Sequence, residues 1–387
     1  MGFETEKREG ADSILRLIGI AIFLSDDKEP DMTTGSEEKG SNMKKTSKTQ
    51  VNRNTKRVRI STRILTMVLT FVMAAGVLAG CGKQDANVQD TLIRIGSMKG
   101  PTSMGLLSLK EKSENGEAAG QYEFNMYTAA DEILPLMIKG ELDIALVPAN
   151  VASILYNKTE GAITVIDINT LGVLYMVSGN SEIASMEDLK GKTIYLTGKG
   201  TTPDYVLNYL LDANGLAADC TLEYKSEATE VAAVLAENPD AIGLLPQPFV
   251  TAACAQNEAL SVVLDMNEEW EKVQGEGGSR MVTGVTVVRD EFLEANQAAV
   301  QNFMKEHEES AAAINADVET GAQLVVAAEI IAKEPIAKKA IPECNITYID
   351  GEDMKQALSG YLDVLAQQSP EAVGGSLPGD DFYYVSK

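Results

Sequence analysis

Histidine and aromatic residues are scarce in this chain of 387 residues. The one histidine, His307, lies in the charged run Lys-Glu-His-Glu-Glu, which predicts the solvated face of a helix. With no second histidine, we expect neither a His-based triad nor a His-rich metal site. The aromatic fraction is 5%, with a single tryptophan, Trp270, which we interpret as the packing anchor of an amphipathic helix. These scarcities argue against an enzyme and against a bound metal or cofactor.

Cysteine is also rare, with four residues and no Cys-x-x-Cys spacing. Cys220, Cys254 and Cys344 lie in apolar or strand-like contexts, where small buried hydrophobes are more common than disulfides or reactive thiols. Cys81 has a different context, described below. The length is sufficient for a large core in two domains or one two-lobed body, so the chain is not a small disulfide-stapled domain.

Basic residues are few: 33 Lys and Arg stand against 57 Asp and Glu, which gives a net charge of −24. Residues 1–80 hold 13 basic and 10 acidic residues, so the remainder is more acidic still. Such an acidic surface repels phosphate groups. We therefore exclude nucleic acid and anionic lipid surfaces as partners of the body.

The N-terminal part changes character at Met43. Residues 1–42 contain only a short apolar segment, too short to span a bilayer. The stretch from Met43 to Arg63 then carries eight Lys or Arg and no acidic residue, and the apolar segment Ile64 to Val77 follows it. A basic region, an apolar region and small residues predict a secretory signal peptide over 43–80. We interpret residues 1–42 as an extension from an upstream start codon.

The four residues Leu78-Ala-Gly-Cys81 resemble the lipobox of bacterial lipoproteins. This resemblance implies that Cys81 is the lipidated N-terminus of the mature protein. The lipid would anchor the protein to the outer face of the cell membrane, in a Gram-positive organism, without spanning it. The polar stretch 81–90 would then be a flexible tether.

The body is organised around Leu92 to Leu107, which predicts a strand, a turn at Gly100-Pro101 and a helix capped by Thr102 or Ser103. A helix start beyond a strand collects unpaired N–H donors and a partial positive charge. Such a turn holds a polar or anionic ligand in some α/β proteins and nothing in others. The same device recurs where the strand Thr193 to Leu196 meets the turn Gly198 to Pro203.

Strands and helices alternate through the rest of the body. The βαβα pattern predicts a mostly parallel sheet covered on both faces. After the apolar strand Met281 to Val288, the pattern is helical, and the chain ends in a polar tail rich in Gly and Pro. The fold class is therefore α/β.

Four phrases carry a resemblance to a known family: Ile95-Gly96, Lys139 to Pro148, Asp188 to Ile194 and Leu245 to Pro248. Together they resemble the substrate-binding proteins of ABC importers of the nitrate, sulfonate and taurine type, over residues 91–385. The thiamine-pyrimidine-synthesis proteins belong to the same superfamily.

The resemblance implies a two-lobed, periplasmic-binding-protein-like fold of type II. Lobe one would comprise 91–178 and 286–387, lobe two 179–285, and the ligand would lie in the cleft between them. Loops that follow the strands would contact the ligand. The candidate residues are Lys99, Gly100, Pro101, Thr102, Ser103, Thr128, Ala129, Pro148, Asn150, Gly198, Lys199, Gly200, Thr201, Thr202, Gln247, Thr283 and Gly284.

The resemblance implies an extracytoplasmic solute-binding lipoprotein, monomeric, that delivers a small molecule to ABC permease subunits. Two alternatives stay open: a sensing or adhesive lipoprotein of the same fold, and a thiamine-precursor-synthesis enzyme. Helix starts and two turn lysines favour a small organic anion slightly over a neutral heterocycle, although no arginine falls in a predicted cleft turn.

We expect the substitution Cys81→Ala to abolish both fatty-acid labelling and membrane anchoring, because the lipid is attached through this sulfur. Metabolic labelling with a fatty acid and membrane fractionation measure the two effects. Labelling that persists in the variant would contradict lipidation at Cys81.

Overall fold

The computed structural model describes residues 88–385. The predicted N-terminal extension, the signal peptide and Cys81 lie outside the described residues. No helix within 88–385 is both long enough and apolar enough to cross a membrane.

Eleven strands and thirteen α-helices follow one another over this range. The strands are β1 (Leu92–Met98), β2 (Gln121–Tyr127), β3 (Ile144–Pro148), β4 (Ile163–Leu171), β5 (Leu174–Ser178), β6 (Thr193–Thr197), β7 (Thr221–Lys225), β8 (Ile242–Pro246), β9 (Ser261–Asp265), β10 (Val282–Arg289) and β11 (Ile346–Ile349). The helices are α1 (Pro101–Met104), α2 (Leu107–Glu114), α3 (Ala130–Ile138), α4 (Ala149–Lys158), α5 (Thr202–Ala213), α6 (Ala228–Glu237), α7 (Phe249–Gln256), α8 (Met266–Gln274), α9 (Asp290–Ala295), α10 (Gln297–Ala316), α11 (Val318–Ala327), α12 (Glu334–Ala340) and α13 (Gly351–Gln368).

The strands form two mixed sheets, ordered β11-β4-β10-β3-β1-β2 and β7-β6-β8-β5-β9. The prediction of a mostly parallel sheet is wrong. In the first sheet, β10 runs antiparallel to both β3 and β4. In the second, β5 runs antiparallel to β8 and β9. A strand buried on both faces shows the same apolar run in either orientation, so the pattern could not reveal direction.

The chain passes between the sheets at two places that differ from the predicted boundaries. Only Gly172 and Val173 separate β4 of the first sheet from β5 of the second, so residues 174–178 pair with the second sheet although they fall within predicted lobe one. All of β10 pairs with the first sheet, although its residues 282–285 fall within predicted lobe two. The first crossing is two residues long and apolar, so no change in composition marks it, whereas the second is the glycine-rich stretch 275–281 that joins α8 to β10.

Trp270 anchors the core on α8, as the sequence predicted. Its side chain is fully buried, and its ring lies 4.7 Å from that of Tyr209 and 5.4 Å from that of Tyr361, centroid to centroid. The indole N–H donates to the carbonyl oxygen of Ser279 at 3.1 Å. Since Tyr361 lies on α13 and Tyr209 on α5, this aromatic cluster joins helices that cover different sheets.

The prediction of a solvated His307 is wrong, because the residue is fully buried. It lies on the face of α10 that also carries Phe303, Ala311 and Ile314, all buried and spaced by whole helical turns. The flanking charged residues lie on other faces of the same helix. His307 Nδ1 is 3.2 Å from Asp167 Oδ2 on β4, so a charged run in sequence conceals a buried polar pair.

The three described cysteines are free. Cys344 is buried, and Cys220 and Cys254 are half-buried. Burial raises the pKa of all three thiols, to about 12 for Cys344. This supports the interpretation of Cys344 as a small buried hydrophobe, whereas Cys254 stays within reach of solvent.

A buried carboxylate ties the start of the first sheet to β10. Asp143 accepts hydrogen bonds from Arg94 Nε at 2.8 Å and Nη2 at 2.6 Å, and from Arg289 Nη2 at 2.9 Å. Burial alone would raise the pKa of Asp143, but the bonds from the two guanidinium groups outweigh it and hold the pKa below its usual range. The ionised carboxylate therefore stabilises the folded state.

We expect Asp143→Asn to destabilise the protein toward the lower end of the ~3–5 kcal/mol typical of a broken buried pair, since Arg94 is partly exposed. A depressed pKa contributes stability that is present above the unfolded pKa and lost as pH falls through the folded pKa. Urea unfolding of wild type at neutral pH and in acid should therefore show a loss of stability that is smaller in Asp143→Asn, in which this carboxylate is absent. The control is Glu141→Gln, a substitution of an exposed carboxylate two residues away. If Glu141→Gln lowered the free energy of unfolding as much as Asp143→Asn, the role given to Asp143 would be contradicted.

Candidate functional site

Strand directions place the predicted turns at two sheet edges that face each other. Since β4 runs in the same direction as β1, β2 and β3, their carboxyl ends share the edge at which the chain leaves the first sheet. In the second sheet β5 begins at the edge where β6, β7 and β8 end. The helix starts of both sheets therefore lie on either side of the crossing.

In the first sheet, the turn after β1 is closely packed. Gly100 has φ 145°, a conformation that favours glycine, and Pro101 opens α1. The Ser103 hydroxyl is 2.8 Å from that of Ser97 and also contacts the carbonyl oxygen of Met98. Thr102 is buried, at 6% exposure. The prediction that Thr102 or Ser103 caps the helix is wrong: Gly100 is the N-cap, no side chain caps the helix, and Ser103 instead binds the turn to the end of β1.

Gly284 brings the first-sheet site together. A Cβ at this position would lie 2.9 Å from Thr102 Oγ1 and 2.5 Å from Asn169 Oδ1, so only glycine leaves room for both side chains. Gly284 pairs with Pro148 across β10 and β3. Three strands, β3, β4 and β10, and the helix α1 thus contribute to one spot, although Asn169 was not among the predicted residues.

Asn169 belongs to a buried polar network. Its Nδ2 donates to Thr286 Oγ1 at 3.1 Å, and the Thr286 hydroxyl donates to Asp167 Oδ1 at 2.7 Å. Thr170 donates to Asn169 Oδ1 at 2.9 Å. The signal in the sequence was the pair of polar residues, Asp167 and Asn169, inside an otherwise apolar strand; burying them costs free energy unless they are bonded.

In the second sheet, a carboxylate of the protein, Asp204, binds the glycine-rich turn after β6. Gly198 and Gly200 have φ 74° and 73°. The Gly200 N–H donates to Asp204 Oδ2 at 2.7 Å, and the Thr201 hydroxyl donates to the carbonyl oxygen of Gly198 at 2.6 Å. An anionic ligand at this turn would meet the buried carboxylate of Asp204. This geometry weakens the expectation of an anion here.

The two candidate lysines already have neighbours. Lys99 Nζ is 3.5 Å from Glu329 Oε2. Lys199 is exposed, and its Nζ lies 5.2 Å from the centre of the Tyr224 ring. Burial and the hydrogen bond to Asp204 raise the pKa of Tyr224 to about 12, so its hydroxyl remains a donor. Neither lysine is a dedicated anion ligand in this arrangement.

Two other predicted residues make contacts with their own surroundings, and a third lies within β10. Thr128 is exposed, and its hydroxyl donates to Glu132 Oε1 at 2.7 Å at the start of α3, where Ala129 is the N-cap. Asn150 Nδ2 donates to the carbonyl oxygen of Ala372 at 3.4 Å. Thr283 is half-buried in β10. Within residues 88–385 no hydrogen bond joins these side chains to Thr102.

Two contacts join the lobes beside the cleft. The Thr202 side chain, at the start of α5, lies next to the buried Tyr361 hydroxyl on α13. The Tyr175 hydroxyl at the start of β5 donates to the carbonyl oxygen of Glu343 at 2.7 Å. Helix α12 also packs against α7.

One cavity at this junction contains a predicted residue. It has a volume of about 400 Å³, and it is lined by Tyr175, Gln247, Val250, Thr251, Cys254, Ala255, Val262, Asp265, Lys339 and Glu343. Gln247, buried at 3% exposure, holds its position through its N–H, which donates to Val173 at 2.9 Å, and through Oε1, which accepts from the Thr251 hydroxyl at 2.8 Å. Within residues 88–385 no three His, Cys, Asp or Glu side chains are grouped as metal ligands would be.

Solved structures of binding proteins share this fold. An ABC transporter protein from Parabacteroides distasonis is 24% identical, with a TM-score of 0.65 over 77% of this chain and 100% of that one. The periplasmic aliphatic sulphonate binding protein SsuA from Escherichia coli is 16% identical, with a TM-score of 0.61 over 76% and 92%. The ligand binding component of an ABC-type import system from Staphylococcus aureus, solved with zinc bound, is 15% identical, with a TM-score of 0.55 over 76% and 97%. The predicted periplasmic-binding-protein-like fold is confirmed.

No curated protein matches the chain. A family model described as menaquinone biosynthesis, VitK2_biosynth, matches residues 97–366, well over half of the sequence. This family is in the same superfamily as the substrate-binding proteins that the four sequence phrases resemble. The chain belongs to the menaquinone-biosynthesis family.

Proposed function

We propose that the chain is an extracytoplasmic solute-binding lipoprotein, which captures a small molecule between its two lobes and passes it to an ABC importer. One observation carries the proposal: helix starts of both sheets lie at facing edges beside two chain crossings. In a two-lobed protein such edges bind a small ligand through backbone donors and a few hydroxyls.

The lobes follow the sheets rather than the boundaries predicted from sequence. The proposed first lobe comprises residues 91–171 and 282–385, and the second comprises 174–281. Gly172, Val173 and Met281 lie at the crossings. Thr102 and Gly284 on the first lobe, and Thr202 and Gln247 on the second, are the proposed polar contacts, because each is buried or half-buried at a facing edge.

An enzymatic step in menaquinone biosynthesis is the second candidate, favoured by the family match over 97–366. Acid–base catalysis requires a titrating group within hydrogen-bond reach of the ligand. The pair His307 and Asp167 is fully buried and lines none of the four cavities described in residues 88–385. This burial supports binding over catalysis.

The single tryptophan provides a test. Because Trp270 packs against Tyr361, which lies beside Thr202 at the cleft, we expect ligand binding to change its fluorescence. A panel of sulfonates, carboxylates and pyrimidines identifies the ligand by thermal shift, and titration gives Kd. Thr102→Ala should raise Kd about 2- to 10-fold, as expected for one buried hydrogen bond.

Thr221→Ala is the matched control, since Thr221 is exposed at the opposite edge of the second sheet. Equal affinities of the two variants would refute the cleft assignment. Mass spectrometry of the bound compound after prolonged incubation separates the two candidate functions: recovery of unchanged ligand favours transport, and its conversion favours the enzyme.

A further inference from the structure

The cavity of about 400 Å³ at the junction is built from both sides of the cleft. The second sheet supplies Tyr175 and Asp265 from β5 and β9, with α7 beside them, and the segment from α12 to β11 supplies Lys339 and Glu343. Its volume suits a small organic molecule rather than a single ion.

Gln247 lines this cavity and has a side-chain N–H donor, Nε2, available for a ligand. Its side-chain oxygen is occupied by Thr251, whereas Nε2 makes no hydrogen bond to any described residue. The residue is 3% exposed and lines the cavity. Nε2 is not among the fully buried unpaired polar atoms of residues 88–385, so it is accessible from the cavity, where an acceptor on a ligand can take its hydrogen bond.

The cavity carries charges of both signs that do not neutralise one another. Lys338, the neighbour of Lys339, is the residue of α12 that pairs with Glu319 and Glu334. No ion pair within 4 Å joins Lys339 to Asp265 or Glu343 among the described residues. Burial, with Glu268 and Glu343 nearby, raises the pKa of Asp265. A positive charge beside this carboxylate would stabilise its ionised form.

The remaining wall is apolar. Val250, Cys254 and Ala255 come from α7 and Val262 from the edge strand β9. Val262 is 44% exposed on this edge strand, so it leaves apolar surface at the cavity uncovered. A branched aliphatic group would cover this wall.

We propose that this cavity binds an aliphatic α-amino acid or a zwitterion of the same shape. Its carboxylate accepts from Gln247 Nε2 and from Lys339, its ammonium group donates to Asp265 and Glu343, and its branched side chain packs on Val250 and Val262. A lysine and two carboxylates that line one cavity without an ion pair between them select a zwitterion over a simple anion or amine. The inference rests on the proposed function insofar as the ligand lies between the lobes.

Cys254 reports occupancy of the cavity, and Cys220 is an internal control. Both thiols are half-buried and free, but the Cys220 thiol bonds the carbonyl oxygen of Leu189 elsewhere in the second lobe. Iodoacetamide labelling of the purified protein at mildly alkaline pH, followed by peptide mass spectrometry, gives both rates. L-leucine should slow labelling of Cys254 about tenfold or more at saturation and leave Cys220 unchanged.

Two matched compounds test the charge pattern. Isocaproate lacks the ammonium group of leucine, and isoamylamine lacks its carboxylate. Each should protect Cys254 only at concentrations about tenfold higher or more, as expected for the loss of one charge-assisted hydrogen bond. Protection by isocaproate equal to that by leucine would overturn the zwitterion assignment.

Three variants locate the charges. Lys339→Met should weaken protection by leucine about tenfold, whereas Lys333→Met, an exposed lysine at the N-cap of the same helix, should not. Asp265→Asn should have a similar effect while it keeps the cap of α8, because an asparagine oxygen can accept the Asn267 N–H bond. Equal effects at Lys333 and Lys339 would overturn the site.

The outcomes distinguish this inference from the proposed function. If a compound from the panel binds with dependence on Thr102 but neither it nor leucine protects Cys254, the cavity is not the ligand site and the solute-binding function stands. If no compound of any class alters Trp270 fluorescence or Cys254 labelling, both fail together.

Discussion

The structure depends on the close approach of the two segments that cross between the sheets. At Gly172 an added Cβ would lie 2.0 Å from Met281 Cε and 2.9 Å from Asn267 Oδ1. The carbonyl oxygen of Gly172 also accepts from Asn345 Nδ2 at 2.5 Å. Glycine has no side chain, so the two crossing segments can lie side by side at this position. Their close contact holds the strand edges of the two sheets facing each other.

The facing edges differ in what they leave free for a ligand. The first-sheet turn is bound together by Ser97 and Ser103, and it presents Thr102 against Gly284. The second-sheet turn is occupied by Asp204, which takes a backbone donor that would otherwise attract an anion. Both arrangements follow from the same rule, that buried polar groups need partners. They favour ligands that carry hydrogen-bond donors as well as acceptors over simple anions.

Much of the local structure could be predicted from the sequence, because it rests on short-range signals. The turn at Gly100-Pro101 and the one at Gly198 to Pro203 were predicted from glycine, proline and the flanking apolar runs, and Trp270 was recognised as an anchor from its amphipathic helix. The candidate site was predicted less well. Gln247 lines a cavity, but Thr128 and Asn150 make contacts with their own surroundings, and Asn169 was missed.

The sequence by itself determined most elements and the acidic composition, since periodicity, turn residues and charge are properties of neighbouring positions. The two-lobed class came from the resemblance of four phrases to a known family. Tertiary structure decided the direction of β5 and β10, because a buried apolar strand looks the same in either orientation. It also decided the burial of His307, whose partner Asp167 is 140 residues away in the chain. The cavity around Gln247 arises in the same way, where β9 and α12 meet only after the sheets have formed.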